Sequence, residues 1–258
     1  MGKINIISWN SQGGAGQGEK FDALSRYVGA YNQSAEDCVI FLQEAGTPTQ
    51  GGTGFIQDKW YSLGGRNYYC AVACADPTAQ VQRCTVTALL NEELYKHYQI
   101  QTGYLEHGAF RPIPCVLIND QYILAGMHAI ADSTQSVAEA KDVISYLDNE
   151  MGERTWILVG DFNAGPECHP ELSGQTSIMP NTLNPICYRG TEDRPHLCNM
   201  LYPDRPTQGA GGFRTATLDY AFMKINVNSI DAWRNETVYS ASGLVLSDHN
   251  MISMGITI

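Results

Sequence analysis

The chain reads as an α/β protein of the four-layer α/β/β/α kind, two mixed sheets packed face to face with helices outside. Three observations predict this. Apolar runs of strand length recur along all 258 residues. Two segments carry helical periodicity, and each follows a strand that ends in a polar residue.

The elements follow in order. Lys3-Ile4-Asn5-Ile6-Ile7 alternates and is β-branched, so a strand is predicted over 3–9, and the glycines at 13, 14, 16 and 18 place a loop after it. Phe21, Leu24, Tyr27 and Val28 mark one face of a helix over 19–31. Apolar runs predict further strands over 37–43, 68–74, 84–90, 113–118 and 122–128. Val137, Ala140, Ile144 and Leu147 mark a second helix over 134–150, opened by a capping box of Ser136 and Glu139. Strands over 155–160, 218–225 and 251–258 complete the set. Between Gly165 and Gly212 the chain is rich in proline, cysteine and polar residues with little periodicity, which predicts long surface loops beside an active site. No internal repeat, low-complexity segment or charged linker interrupts the pattern, so residues 1–258 are expected to form one domain.

A hydrophobic content of 43% is ample for a sizeable core. No apolar stretch approaches the roughly 18 residues of a membrane span. No leader-like segment precedes the first strand, which gives the expectation of a cytosolic chain or of a mature secreted form. The net charge of −11 runs against nucleic-acid binding, because lysine and arginine normally drive phosphate contacts. Part of that excess is expected to be metal-ligand carboxylates, and most of the remainder a solubilising surface. Of the eight cysteines, none forms a CxxC pair, and Cys70, Cys74 and Cys84 lack a histidine at zinc-finger spacing, which disfavours a structural metal. Disulfides in an oxidising compartment are expected instead: Cys168 with Cys187 or Cys198, then Cys70 or Cys74 with Cys84. Cys38 and Cys115, inside apolar strands, are expected to be buried thiols. Sequons at Asn32 and Asn235 decide nothing.

Polar residues recur where apolar strands end. Trp9-Asn10 closes the first strand, Gln43-Glu44 the second, and His128 another. Gly160-Asp161-Phe162-Asn163 follows Trp156-Ile157-Leu158-Val159; Leu218-Asp219-Tyr220 opens a strand, and Ser247-Asp248-His249 precedes the last. Each alone is an ordinary cap or turn. Together they offer four carboxylates, two asparagines and two histidines with cause to converge on one rim of a sheet sandwich. Carboxylate and amide oxygens suit a hard cation such as Mg²⁺. Histidine with a carboxylate partner suits proton transfer or stabilisation of a phosphoryl oxygen. The combination points to metal-assisted phosphoester hydrolysis. Zinc hydrolysis would want more closely spaced histidines, and a serine hydrolase a Gly-x-Ser-x-Gly elbow, which is missing.

These words stand in the order found in the endonuclease/exonuclease/phosphatase superfamily, which the chain resembles over nearly its whole length. That superfamily includes pancreatic-type deoxyribonucleases, abasic-site endonucleases, inositol polyphosphate phosphatases and bacterial sphingomyelinases. The resemblance implies a DNase I-like fold. Within it the chain is most similar to the catalytic (B) subunits of cytolethal distending toxins, through Trp9-Asn10-Ser11-Gln12-Gly13, Gln43-Glu44-Ala45-Gly46, Phe110-Arg111-Pro112, His128-Ala129, Pro206-Thr207-Gln208 with Gly211-Gly212 ahead of Leu218-Asp219-Tyr220-Ala221, and Ser247-Asp248-His249. It departs from them at Ala164, where they typically carry arginine, and in its many cysteines.

Roles follow from the resemblance residue by residue. Glu44 would hold the metal with Asn10 beside it, and Asp248 would lie near the metal. Asp161 would orient or deprotonate the attacking water, and Asn163 would position that water or the phosphate. His249, polarised by Asp219, and His128 would bind the phosphate and supply a proton or charge. Arg111 is the candidate phosphate clamp, since a guanidinium grips phosphate bidentately. The implied activity is a divalent-metal-dependent DNA endonuclease, using Mg²⁺ with Mn²⁺ or Ca²⁺ as alternatives. It would be delivered by the other subunits of a toxin complex and act inside a target cell, in the nucleus. A phosphoinositide phosphatase on the same core is the alternative that the acidic balance favours. The sphingomyelinase reading fits less well because no exposed aromatic hairpin for membrane docking is evident. A non-catalytic adaptor would need a missing motif residue, and none is missing.

Overall fold

The structure, a computed structural model, describes residues 2–31, 37–47, 52–74, 86–105, 111–150, 152, 154–169, 184–189, 195–203, 205–209, 216–224 and 230–258. One seven-stranded sheet has the order β13-β14-β1-β2-β5-β4-β3, built from β1 (Lys3–Asn10), β2 (Asp37–Gln43), β3 (Trp60–Leu63), β4 (Arg66–Cys74), β5 (Val86–Asn91), β13 (Ile230–Glu236) and β14 (Met251–Thr257). The other has the order β10-β11-β12-β9-β8-β7-β6, from β6 (Ile100–Leu105), β7 (Ile113–Ile118), β8 (Tyr122–His128), β9 (Thr155–Asp161), β10 (Asn184–Arg189), β11 (Pro195–Leu201) and β12 (Asp219–Lys224). The pairs β1–β2 and β8–β9 are parallel and the rest antiparallel, so both sheets are mixed.

Three apolar clusters make the four layers. Ile4, Ile6, Val39 and Phe41 of the first sheet meet Val116, Leu124, Ile157 and Val159 of the second. Helix α1 (Gly18–Tyr31) packs Leu24 and Val28 on the outer face of the first sheet, against Ile7, Trp9 and Ile40. Helix α3 (Ser133–Glu150) packs Ala140, Ile144 and Leu147 on the outer face of the second, against Ala125, Trp156 and Leu158. The short helix α2 (Glu92–His97) follows β5 directly. Central strands are thus covered on both faces, which is why they read as continuous apolar runs.

The alternation of side chains along a strand also places the site. In β1 the residues facing the opposite sheet are Ile4 and Ile6, and the same parity carries on to Asn10. In β9 Ile157 and Val159 lead to Asp161, in β8 Leu124 leads to His128, and in β12 Met223 and Ala221 lead back to Asp219. Four polar residues therefore enter the seam between the sheets at one end, where the apolar filling stops.

Several expectations need correction. Strands β3, β6, β10, β11 and β13 and helix α2 were not predicted. Strands β10 and β11 lie inside the stretch predicted as loop, paired as a hairpin that extends the second sheet. The expected capping box does not open α3: Asp132 accepts the Thr134 and Gln135 amides at 3.1 and 3.0 Å, Ser136 Oγ donates to Ser133 O, and Glu139 accepts the Ile130 amide. The helix starts at Ser133, one residue before the predicted 134, with Asp132 rather than Ser136 accepting its first amides. Cys168 is an exposed thiol, and Cys38, Cys70, Cys74, Cys115 and Cys198 are thiols as well, so the expected pairings of Cys168 and of Cys70 or Cys74 do not form. Cys84 and the sequon Asn32 lie outside the described residues. The side chain of Asn235 is tied to Arg205 O and to Asn250. The turn after β13 exposes Tyr239, Leu244 and Val245, a small apolar hairpin that was not anticipated.

The seam is tight at Gly126, where an added Cβ would stand 2.4 Å from the Phe41 ring. Gly126→Ala is expected to lower the unfolding free energy by about 1–3 kcal/mol, the usual range for overpacking. Urea unfolding of the two proteins measures this, and an unchanged midpoint would mean that the ring has room to move aside.

Candidate active site

Asp161 is the centre of the site. Its side chain is 1% exposed, and it sits beside His128 on parallel β8 and Asp219 on antiparallel β12. Oδ2 accepts a hydrogen bond from Asn10 Nδ2 at 2.8 Å and lies 3.6 Å from His249 Nε2 and 3.9 Å from His128 Nε2. Oδ1 accepts the Asn163 amide at 2.9 Å. Burial pushes the Asp161 carboxyl above its usual range and Asp219 adds to this, while His249, His128 and the Asn10 amide pull back.

Asn10 joins the two sheets. Besides Asp161, its Nδ2 donates to Glu44 Oε1 at 3.1 Å, and its Oδ1 accepts the Gln12 amide. Glu44 follows the last residue of β2 with φ at 53°, so the chain turns sharply and its carboxylate comes within 3.6 Å of His128 Nε2. Gln12 and Asn163, with φ at 49° each, are also left-handed. Three residues around this one site thus hold a conformation that side chains disfavour, a pattern common where geometry serves function. Lys20 of α1 ties the β1 loop by donating to Ser11 O and Gln12 O.

His249 completes the constellation from the first sheet. Its Nδ1 lies 2.8 Å from Asp219 Oδ2, and its Nε2 lies 3.6 Å from both Asp161 and Asp248. Burial works to lower its pKa, but Asp219, Asp161 and Asp248 outweigh that and hold the imidazole up at about 10. The ring is therefore an imidazolium at neutral pH, with Nδ1 donating to Asp219. Ser247 Oγ bonds Asn10 O at 2.7 Å and accepts the His249 amide, which anchors this segment to β1. Asp248 is gripped on both sides: its amide donates to Gln12 Oε1, and its Oδ2 accepts from Gln208 Nε2.

The donor set fits a divalent cation. Asp219 Oδ1 and Asp248 Oδ1 are buried and accept no hydrogen bond, leaving anionic oxygens with capacity for a positive partner. Ligand atoms of Asp161, Asp219 and His249 lie within 4.8 Å of one another. Within that trio, however, the proton on His249 Nδ1 already occupies one Asp219 oxygen, so the trio works better as a charged hydrogen-bonded pair beside a carboxylate. Glu44 and Asp248 stand farther from an imidazole nitrogen than Asp219 does, at 3.6 Å each against 2.8 Å.

Behind the site, Phe162 stacks on Tyr220 with ring centroids 4.4 Å apart, and the Tyr220 hydroxyl donates to Ala164 O at 2.9 Å. That uses its one hydrogen, so His169 Nε2, 2.8 Å away, must be the donor to the phenol oxygen. Burial, with Lys141 nearby, pulls His169 down to about 4, which keeps it neutral for this role. Ala164, where the chain departs from the toxin subunits it resembles, is 2% exposed and its carbonyl is held by this clamp. Arg111, half-buried, donates from Nη1 to His128 O and Ala129 O at 3.4 and 3.1 Å, and Asn163 Nδ2 donates to the same Ala129 oxygen. It stands at the rim bound to backbone.

All the expected site residues are thus gathered here, Arg111 at the edge. Sequence analysis gave no role to Ser11, Gln12, Lys20, Thr207, Gln208 or Ser247; their signal was only that most stand within the strand-end words themselves.

Two mixed sheets with buried carboxylates and imidazoles at one end of their seam define a hydrolytic centre of the phosphodiesterase or nuclease type. The chain belongs to the endonuclease/exonuclease/phosphatase family, whose profile matches residues 7–249. Its fold is similar to that of CdtB, the biologically active subunit of cytolethal distending toxin, at 18% identity and a TM-score of 0.59, covering 97% of this chain and 96% of that one. The Haemophilus ducreyi cytolethal distending toxin matches at 16% and 0.54, over 97% and 96% of the two chains. The endonuclease domain of TRAS1, a telomere-specific non-LTR retrotransposon, matches at 16% and 0.54 over 98% of both. Among curated proteins none matches the sequence significantly.

The folded pKa of His249 lies above the ordinary 6.5, so the stability it contributes is complete below about pH 6.5 and is lost as the pH climbs toward 10. In metal-free protein, the unfolding free energy of the wild type should therefore fall more steeply between these limits than that of Asp219→Asn. Urea unfolding at pH 6.5 and 10 reads the difference; parallel curves would mean that Asp219 does not hold the imidazolium.

Proposed function

We propose that the protein is a divalent-metal-dependent phosphodiesterase that cuts DNA, and that it is the active subunit of a genotoxin. The observation that carries this reading is the His249–Asp219 pair, 2.8 Å apart and with the ring 3.6 Å from Asp161, in a seam that also holds His128, carboxylates and amides. Glu44 and Asp248, with Asn10 beside them, would hold Mg²⁺; Mn²⁺ or Ca²⁺ would suit the same oxygens. When bound, the ion neutralises phosphate charge and polarises the phosphoryl group.

The chain's own residues do the rest. Asp161, its carboxyl raised by burial, accepts the proton of the attacking water. Asn163, fixed by Ala129 O and Asp161, orients that water or the phosphate. His249 carries a positive charge that meets the charge developing on phosphoryl oxygens, and Asp219 keeps the ring charged and aimed. His128 adds a second imidazole, and Arg111, held at the rim by His128 O and Ala129 O, is the candidate clamp for a neighbouring phosphate.

The net charge of −11 favours a second reading on the same core, a phosphoinositide phosphatase whose substrate needs no long basic track. For the place of action, the reduced, buried thiols Cys38 and Cys70, which burial pushes up to about 12, suit a cell interior. Both delivery into a target cell by partner subunits, with DNA reached in the nucleus, and a purely cytosolic life accord with that.

Supercoiled-plasmid nicking with Mg²⁺ and with chelator, beside phosphate release from a phosphoinositide, decides between the substrates. Metal-dependent nicking is expected, and His249→Ala should reduce it at least about 10²- to 10³-fold, as loss of a transition-state charge does. Intact plasmid together with released phosphate would replace the nuclease by the phosphatase.

A further inference from the structure

Asp219 and His249 come from opposite sheets. β12 is laddered to β9 and β11, β14 to β1 and β13, so no sheet ladder sets the distance between them. Yet their bond is 2.8 Å long. A segment outside both sheets spans the gap. Thr207 is fully buried, and its Oγ1 accepts two backbone amides, those of Leu218 at 2.9 Å and Asp219 at 3.0 Å. Its own amide donates to Ala216 O, and its carbonyl accepts the Asn250 amide at 2.7 Å. Gln208 bridges Ala216 on one side and His249 on the other, and its Nε2 donates to Asp248 Oδ2 at 3.1 Å. The Gly209 amide donates to Asp248 O. Three consecutive residues thus hydrogen-bond the start of β12 and the approach to β14 at once.

We propose that Thr207 and Gln208 are positioning residues, a cross-brace between the sheets that fixes Asp219 against His249 and turns the Asp248 carboxylate toward the metal. A hydroxyl is required at 207 because one oxygen with two lone pairs satisfies two amides at a buried position. An amide is required at 208 because Asp248 needs a neutral donor that leaves its second oxygen open for a cation. The turnover and metal parts rest on the function proposed above; the geometric part does not.

The test compares Thr207→Val, Thr207→Ser and Gln208→Leu by plasmid-nicking kinetics, Mn²⁺ titration calorimetry and amide hydrogen exchange. Thr207→Val is expected to lower kcat about 10- to 100-fold with KM changed less than about threefold, since sub-ångström misplacement acts on the transition state. Thr207→Ser should restore kcat, and the Leu218 and Asp219 amides should exchange faster in the valine variant alone. Gln208→Leu should weaken Mn²⁺ binding about 10- to 100-fold, as loss of an outer partner of a metal ligand does. The brace is overturned if Thr207→Val keeps its kcat, if serine fails to restore it, or if exchange at 218 and 219 is unaltered. Should the wild type cleave nothing, the nuclease reading fails separately, and exchange with Mn²⁺ affinity decides the brace. Should the valine variant not fold, unaltered Mn²⁺ affinity in Gln208→Leu is the contradicting result.

Discussion

The carboxylate of Asp161, buried in the seam with no lysine or arginine among the described residues that contact it, is the constraint around which the rest of the site is built. A buried charge is costly unless it is hydrogen-bonded and paired. Here the pairing comes from both sheets: Asn10 from the first, the Asn163 amide from its own turn, and two imidazoles from either side. Remove the facing sheet and Asp161 loses Asn10 and His249 together. The fold is in this sense a device for bringing polar strand ends of both sheets together at one end of their seam.

Such a gap stores unfavourable terms. Three site residues sit at positive φ, two carboxylate oxygens go without hydrogen bonds, and Asp161 resists ionisation. The compensation lies elsewhere, in three apolar clusters whose central strands are buried on both faces. The same parity that sinks Ile4, Ile6, Ile157 and Val159 into the seam delivers Asn10 and Asp161 to its mouth. Structure and chemistry are therefore written in one register, and a one-residue slip of β1 or β9 would destroy both.

This explains what could be read in advance. β1, β2, β8, β9, β12 and β14 are central or nearly so, and their uninterrupted apolar runs and polar ends gave both the layers and the site. The edge strands β3 and β6 are half-exposed: in β3, Trp60 and Ser62 face solvent, and in β6, Gln101, Thr102 and Tyr104 do. Partner strands define them more than their own residues do. Cysteines misled because a thiol in a loop and a thiol under a sheet look alike in sequence. Ser136 and Glu139 misled because Asp132 caps the helix before them, and the Ser136 amide already donates to Asp132 O. Thr207 and Gln208 were quoted as part of a resemblance, yet their work is to receive and give hydrogen bonds across a gap, and a gap has no sequence signature.

On the proposed function, Asp161 is kept charged and buried for chemistry at the expense of stability. The melting temperature of metal-free Asp161→Asn beside its turnover tests this. Melting is expected to stay level or rise while turnover falls by about 10²-fold or more, as for loss of a catalytic base. A melting temperature several degrees lower with turnover largely kept would contradict it, and would make Asp161 an ordinary structural carboxylate.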